Sequence, residues 1–571
     1  MRIKIIRLII IILFAMIAME LVYIQAIRGQ YFYRLSKNNR IRVVPLEGSR
    51  GRIKDVNGVF MADNRMAYNV VITPHDLKET DKVFRFLSEV LDTDLKTIAK
   101  RYQRDRTAPF APVIIAEDIN RRTAITIEEN TYRFPSLSIQ ESFKRYYPLE
   151  DNSAHILGYV GKRNRTESGS FKEYGYSPQS MVGYTGIEEY YDSFLRGEVG
   201  GIQVEVNSRG QQVRLLSFKE PKKGVDLILT IDTRIQQKAQ ELLAARRGVA
   251  IVMDMDNGEI LGLVSSPGFN PNVFMNSEDR KKISSLFYDT ASPLLNRAIK
   301  GLFPPGSVFK AILATAGLNN QTISTNTTFM CNGVYQLGGM EFRCTHTHGA
   351  QNIFEAIAHS CNIYFYHLGL KLGVDTIEEY AQLFNLGHKT NIDLPYEEAG
   401  SIPSRQGRLA NQKRKWYTGE TLNLSIGQGD VLTTPLQLVR MMATIASDGL
   451  EVQPHVIKAM GDNFTNQFSG KRQIDIRRDV FKKVKEGLRQ TVTDPTGTAA
   501  DLNISNLYVA GKTGTAQSSG NQENHAWFVG YVKGEHRNVS FCVFLEHGGS
   551  SHNAVLLSRE LLVYMQSEEI L

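Results

Sequence analysis

Pro304-Pro305-Gly306-Ser307-Val308-Phe309-Lys310 is the stretch on which the reading of this chain turns. Pro-Pro-Gly ends whatever element precedes it, and Ser307 to Leu318, closed by Asn319-Asn320, reads as a helix. Ser307 then lies in the first turn with Lys310 three residues on, a spacing that puts both side chains on one face. A serine hydroxyl is a weak nucleophile at neutral pH and needs an adjacent base. A lysine whose surroundings keep it partly deprotonated can be that base. Ser-x-x-Lys is nevertheless common in long chains, and a serine N-cap beside a solvated lysine competes with the nucleophile reading.

Outward from that stretch, the texture is that of one folded domain from about 223 to 571. Asp226 to Ile231 is strand-like, Thr233 to Ala245 is an amphipathic helix, and Val249 to Met255 with Glu259 to Ser265 flanks the turn Asp256-Asn257-Gly258. Far along the chain, Ala526 to Val532 and Val539 to Leu545 read as a second strand pair, and Asn553 to Gln566 as a closing helix. Strands from both ends of a segment, with a helical middle from about 275 to 500, imply an α/β fold: a central antiparallel sheet flanked by helices.

Toward the N-terminus, Arg2, Lys4 and Arg7 precede an apolar run over 8–27 in which Glu20 is the only charge. About 20 residues at about 1.5 Å each cross a hydrocarbon core of about 30 Å. No small-x-small cleavage pattern follows the run, so an uncleaved anchor is expected. By the positive-inside rule, residues 1–7 stay in the cytoplasm and the bulk of the chain is exported to the extracytoplasmic side. A separate, irregular module is expected over 28–222, with an Asn57-Gly58 turn, a strand over Met66 to Thr73 and one helix over Asp81 to Tyr102. It offers no nucleophile-base pair and reads as an elongated pedestal for packing or partner binding.

The 571 residues suggest about two to four domains. A net charge of +8 spread over that length suits an anionic polymer or lipid surface, with no compact basic stripe to argue for nucleic acid. Four cysteines make no disulfide framework.

Two further stretches lift Ser307 and Lys310 above chance. Ser360-Cys361-Asn362 follows a helical run, and Lys512-Thr513-Gly514-Thr515 precedes the Ala526 strand. Ser-x-x-Lys, Ser-x-Asn and Lys-Thr-Gly, in that order, form the triplet of penicillin-binding proteins and class A β-lactamases. The chain resembles the class B penicillin-binding proteins, monofunctional peptidoglycan D,D-transpeptidases, and most of all their elongation-type branch, penicillin-binding protein 2. Arg50-Gly51, Gly183 to Arg196, Trp416-Tyr417 with Gly419-Glu420-Thr421, Ser425-Ile426-Gly427-Gln428-Gly429 and His525-Ala526-Trp527 carry the likeness beyond the triplet. Val56-Asn57-Gly58 stands where Arg-Asn-Gly is commoner, and Asn362 where many elongation enzymes have Asp.

The resemblance implies that Ser307 attacks the carbonyl between two D-alanines of a stem peptide while Lys310 takes its proton. It implies that Ser360 protonates the leaving D-Ala and Asn362 orients Lys310. Backbone N–H groups of Ser307 and Thr515 would bind the oxyanion. Thr513, Gly514 and Thr515, with Lys512 behind them, would hold the substrate carboxylate. A neighbouring amine then resolves the acyl-enzyme, β-lactams act as suicide analogues, and no catalytic cofactor is needed. The expected partners are stem peptides and nascent glycan strands, a RodA-type glycosyltransferase and other elongation-complex proteins. A division-type transpeptidase, a non-catalytic β-lactam sensor and an anchored β-lactamase are the alternatives.

Cys331, Cys344, His348 and Cys361 form a second constellation, a Cys3His set suited to structural zinc. A Cys331–Cys344 disulfide, or small buried thiols, would use the same residues differently. Cys542, in an apolar strand, reads as core.

Overall fold

The computed structural model describes residues 2–31, 41–46, 48–106, 112–162, 181–206, 212–244, 246–275, 279–464, 468, 470–518, 520 and 522–571. The chain divides into two compact units: residues 1–50, 64–144 and 196–224, and residues 51–63, 145–195 and 225–571. Residues 51–63 and 145–195, inside the module expected over 28–222, therefore cluster with the C-terminal part of the chain.

In the first unit an apolar helix spans Arg2–Val22 and continues as a π turn over Tyr23–Ile27. Ile3–Ile27 has a mean hydropathy of 2.7 and none of it is buried, so it is long and apolar enough to cross a bilayer. The same unit holds a three-stranded antiparallel sheet of Ile41–Leu46, Gly200–Val206 and Gln212–Lys219. It also holds a small α/β core. The single helix expected over Asp81 to Tyr102 is two helices, Thr80–Leu91 and Leu95–Asp105. Asp92 turns left-handed at φ 48°, and Asp94 caps the second helix by accepting from the Lys96 N–H at 3.2 Å. The apolar spacing misses the break because both helices face one core, through Val83, Phe84 and Leu87 and through Ile98 and Tyr102.

The second unit is built on five antiparallel strands: β1 (Gly248–Asp254), β2 (Ile260–Ser266), β3 (Tyr508–Ala516), β4 (His525–Lys533) and β5 (Asn538–Leu545). Their order across the sheet is β2-β1-β5-β4-β3. Alternation divides β1 between two cores, with Val249, Ile251 and Met253 in one and Ala250 and Val252 in the other. Ala250 and Val252 share their core with α1 (Thr233–Leu243), through Ile235 and Ala239, and with the C-terminal helix Ser551–Ser567, through Val555 and Leu562. The other face meets the helical middle of the chain: α2 (Lys310–Asn319), α3 (Ile353–Ala358), α4 (Asn362–Leu383), α5 (Thr418–Ser425), α6 (Pro435–Ala446) and α7 (Arg478–Thr493). A sheet buried on both faces explains why its strands read as apolar runs. Trp527 and Cys542 are fully buried in it.

Candidate active site

The Ser307 segment is tighter than the helix expected from sequence. Gly306–Phe309 is one 3-10 turn, and α2 begins at Lys310. Pro305 and Gly306 set this entry, Gly306 at φ 55°. The Gly306 N–H donates to Gly427 O at 2.9 Å. A side chain on Gly306 would meet Thr515 O at 3.0 Å, and one on Gly514 would meet Pro305 O at 3.0 Å. The loop bearing the serine thus lies backbone-to-backbone against β3, which only glycine at both positions allows. Ser307 itself is half-buried, and its hydroxyl makes no hydrogen bond among the described residues.

Lys310 is fully buried. Its Nζ donates to Asn362 Oδ1 at 2.7 Å and to Ser360 O at 2.8 Å, with Ser360 Oγ at 3.3 Å. Burial lowers its pKa to about 8, against the negative charge available at Cys344 and Cys361. Asn362 Nδ2 donates to Arg343 O at 3.1 Å, so a donor on one side and an acceptor on the other fix the amide's orientation.

Ser360 reaches this position through strain. Asn352 and Glu355 form a capping box that starts α3: Asn352 Oδ1 accepts from the Phe354 and Glu355 N–H groups, and Glu355 Oε2 from the Asn352 N–H at 2.8 Å. Helix α3 ends after Ala358, and Ser360 adopts φ 56°, a left-handed conformation that glycine usually fills. For a serine this costs about 1–3 kcal/mol. Its carbonyl is the one that Lys310 contacts.

Lys512 on β3 is also fully buried. Burial, with the charge of Lys310 second, holds its pKa well below the usual lysine range. A chain of hydroxyls leads away from it. Lys512 Nζ donates to Thr513 Oγ1 at 3.4 Å, Thr513 donates to Thr498 Oγ1 at 2.8 Å, and Thr498 donates to Ala358 O at 3.3 Å. Thr513 is therefore buried and committed, whereas Thr515 is exposed. Sequence reasoning misses Thr498; its one signal is a second Thr-Gly-Thr at Thr496-Gly497-Thr498, echoing Thr513-Gly514-Thr515. Gln428 Nε2 reaches Thr515 O at 3.5 Å. Among the described residues, no carboxylate hydrogen-bonds Lys310, Ser360 or Asn362.

Behind the Ser360 segment, one donor atom from each of Cys331, Cys344, His348 and Cys361 lies within 4.8 Å of the others. All four cysteines of the chain are free thiols, so the Cys331–Cys344 disulfide is not formed. His348 Nδ1 is 3.5 Å from both Cys331 Sγ and Cys344 Sγ. The Cys361 thiol donates to Cys344, and backbone N–H groups including that of Asn362 at 3.2 Å add to it, pulling the Cys344 pKa far below the thiol range. The same bond, with burial, pushes Cys361 up. A hairpin, Val334–Leu337 and Met340–Arg343 turning at Gly338-Gly339, separates Cys331 from Cys344.

Residues 248–562 match the penicillin binding protein transpeptidase domain, and residues 45–229 match the penicillin-binding protein dimerisation domain. The chain is 33% identical to peptidoglycan D,D-transpeptidase MrdA of Acinetobacter baumannii, over 97% of this chain and 86% of that one. It is 31% identical to MrdA of Escherichia coli K12, over 94% and 90%. Among solved structures, the penicillin-binding protein PBP2 of Helicobacter pylori, in complex with MreC, superposes with a TM-score of 0.84 at 29% identity, covering 93% of this chain and 100% of that one. A chain of a peptidoglycan synthase complex superposes at 0.74 and 29% identity, covering 99% and 98%. The chain belongs to the penicillin-binding protein transpeptidase family.

Proposed function

We propose that this family member is a peptidoglycan D,D-transpeptidase of the elongation type, joining stem peptides through an acyl-enzyme on Ser307. One observation carries the reading: the hydrogen bonding of the buried Lys310 amine. A neutral amine has two N–H donors and one lone pair. Ser360 O and Asn362 Oδ1, at 2.8 and 2.7 Å, accept its two donors, Ser360 Oγ stands third at 3.3 Å, and the lone pair is the acceptor this reading assigns to the Ser307 proton. With a pKa of about 8, about a tenth of Lys310 is neutral at pH 7.

Ser307 Oγ attacks the carbonyl between two D-alanines as Lys310 takes its proton. Backbone N–H groups of Ser307 and Thr515 hold the oxyanion, each worth about 3 kcal/mol. The C–N bond breaks, and the departing D-Ala amine gains its proton through Ser360, whose Oγ is 3.3 Å from Lys310 Nζ. β3 is a sheet edge, so its outer backbone groups suit an extended stem peptide laid alongside. The substrate carboxylate meets the exposed Thr515 hydroxyl, with Lys512 and the Thr513 hydroxyl behind it. An amine from a second stem peptide then attacks the ester carbonyl, the bond between that carbonyl carbon and Ser307 Oγ breaks, and the proton lost by the amine returns to Oγ, regenerating the serine. With no carboxylate hydrogen-bonded to this group among the described residues, water is a poor competitor and a β-lactam adduct leaves slowly. Mass spectrometry after penicillin tests the assignment: one adduct on the Ser307 peptide is expected, and no adduct, or one on another serine, overturns it.

The elongation role is supported by likeness to MrdA sequences and PBP2 structures. Likeness to a chain of a peptidoglycan synthase complex supports pairing with a RodA-type glycan polymerase. Helix Ile3–Ile27, with Arg2, Lys4 and Arg7 at its start, supports single-pass anchoring in the inner membrane with the bulk of the chain in the periplasm.

Cys331, Cys344, His348 and Cys361 would hold a structural zinc. Three sulfurs and a ring nitrogen make a closed donor set, and the Asn362 N–H on Cys344 is the outer-shell contact such thiolates take. Bound there, zinc would supply cross-linking and no Lewis acidity, because all four positions belong to the protein. The chain's contribution is to fix the segment that carries Ser360 and Asn362. Metal analysis of purified protein beside Cys344→Ser decides it: about one zinc lost in the variant is expected, and full acylation by penicillin in metal-free protein overturns it.

A further inference from the structure

Thr498 has no part in the steps above, yet it touches two of the stretches that carry them. It lies in the turn between α7 and β3, and that turn is held from several sides. Asp494 Oδ1 accepts from the Thr496 N–H at 2.8 Å and from the Thr496 hydroxyl at 2.6 Å, and the Ala499 N–H returns to Thr491 O at 3.0 Å. A side chain on Gly497 would stand 2.5 Å from Thr491 O, so the turn lies backbone-to-backbone on the end of α7. Thr498 then closes on the exit of α3 with two groups. Its N–H and its hydroxyl both donate to Ala358 O, at 3.2 and 3.3 Å. Ala358 stands two residues before Ser360.

A hydroxyl has one proton and two lone pairs, and that inventory gives the contacts a direction. Thr498 gives its proton to a carbonyl, which can only accept, so it meets the Thr513 hydroxyl, 2.8 Å away, as an acceptor. Thr513 has then given its own proton away and turns only lone pairs to Lys512 Nζ at 3.4 Å. Thr513 O, 3.3 Å from the same Nζ, is also an acceptor. Burial presses Lys512 toward its neutral form, and acceptors at both contacts work against that.

We propose that Thr498 is a positioning residue for recognition of the substrate's terminal carboxylate, acting through Thr513 to keep Lys512 a hydrogen-bond donor behind that carboxylate. The inference rests on the transpeptidase reading and adds a fourth stretch, Asp494 to Thr498, to the three short motifs. Without the Thr498 oxygen the Thr513 proton loses its acceptor and is free to turn toward Nζ. A donor there favours the neutral amine, and the carboxylate is held less well.

The test is acylation of the full chain by benzylpenicillin and by its methyl ester, read as the time constant of adduct formation in intact-protein mass spectra. The two reagents differ at the carboxylate alone, and a time constant does not depend on how much of the protein is folded. The parent is expected to prefer the acid. T498V, which keeps the side chain's shape and removes its oxygen, is expected to lose about tenfold of that preference, the size of one hydrogen bond to a charged group. T498S is expected to keep it. In a T513V background, T498V is expected to change the preference by less than about twofold, because its route to Lys512 is already cut. A turn that only supports the fold would slow acid and ester alike. An unchanged acid-to-ester ratio in T498V, an equal fall in T498S, or the full loss persisting in the T513V background overturns the positioning role and leaves the transpeptidase intact. A parent that is acylated on Ser307 but treats acid and ester alike removes the carboxylate contact on β3 and this role with it. Failure of the parent to form any adduct on Ser307 takes down the transpeptidase reading as well.

Discussion

Replacing Asn362 with aspartate changes one atom and should change the pH at which the enzyme wakes. In the wild type, Lys310 donates to a neutral amide oxygen at 2.7 Å, and burial lowers its pKa to about 8. A carboxylate there favours the ammonium form. An opposite charge in such contact raises a lysine's pKa by about one to three pH units. The base must be neutral to act, so the rate rises with pH through the lysine's pKa and the variant's rise comes later. A lysine whose pKa stands one pH unit higher has about a tenfold smaller neutral fraction at pH 7. Asn362→Asp is therefore expected to acylate at least about tenfold more slowly than wild type at pH 7 and to recover most of that loss by about pH 10. The carboxylate also loses the Nδ2 donor to Arg343 O, a loss that does not vary with pH and separates as a constant factor. Stopped-flow acylation by a fluorescent penicillin across the pH range reads both. A midpoint that stays in place or moves down would refute Lys310 as the base under electrostatic control of residue 362.

Two other perturbations test the scaffold. Gly427 sits at φ 68°, and a Cβ there would stand 2.1 Å from Gly306 O, so Gly427→Ala must push the serine's loop aside. A displacement of about 1 Å costs about a hundredfold in rate, and acylation should fall by that order, with about 1–2 kcal/mol lost in a denaturant melt for the left-handed alanine. Glu188 is fully buried, taking the Arg145 guanidinium at 2.6 Å and the Tyr147 hydroxyl at 3.2 Å. Glu188→Ala leaves an uncompensated buried charge and should cost about 3–5 kcal/mol of stability, with acylation per folded molecule unchanged.

What the sequence made legible was local chemistry in order along the chain. Ser307 and Lys310, Ser360 and Asn362, and Lys512 to Thr515 are short strings whose residue types announce themselves, and the strand pairs of the sheet showed as apolar runs. What stayed hidden depended on backbone geometry or on partners far away. Nothing in Ser360 announces a left-handed residue, because the capping box at Asn352 and the end of α3 impose it. Thr498 gains its place from Thr513 and Ala358, neither of which is a neighbour in sequence. The break at Asp92 was masked because both helices keep the same apolar spacing toward one core. The interleaving of the two units leaves no mark in composition, since it is a fact about contacts.

The order of strands in the sheet has a consequence for how the molecule is made. β1 and β2 are synthesised early, yet β1's second neighbour is β5, which ends at Leu545, and β3 enters the sheet only through β4. Translation delivers Ser307 roughly 200 residues before the strand it must lean on is anchored, at about 5–20 residues per second. During those seconds the ribosome-bound chain carries a serine with no finished wall opposite it. Prematurely terminated chains would accordingly be chemically silent, and acylating power would arrive all at once with the last stretch of polypeptide.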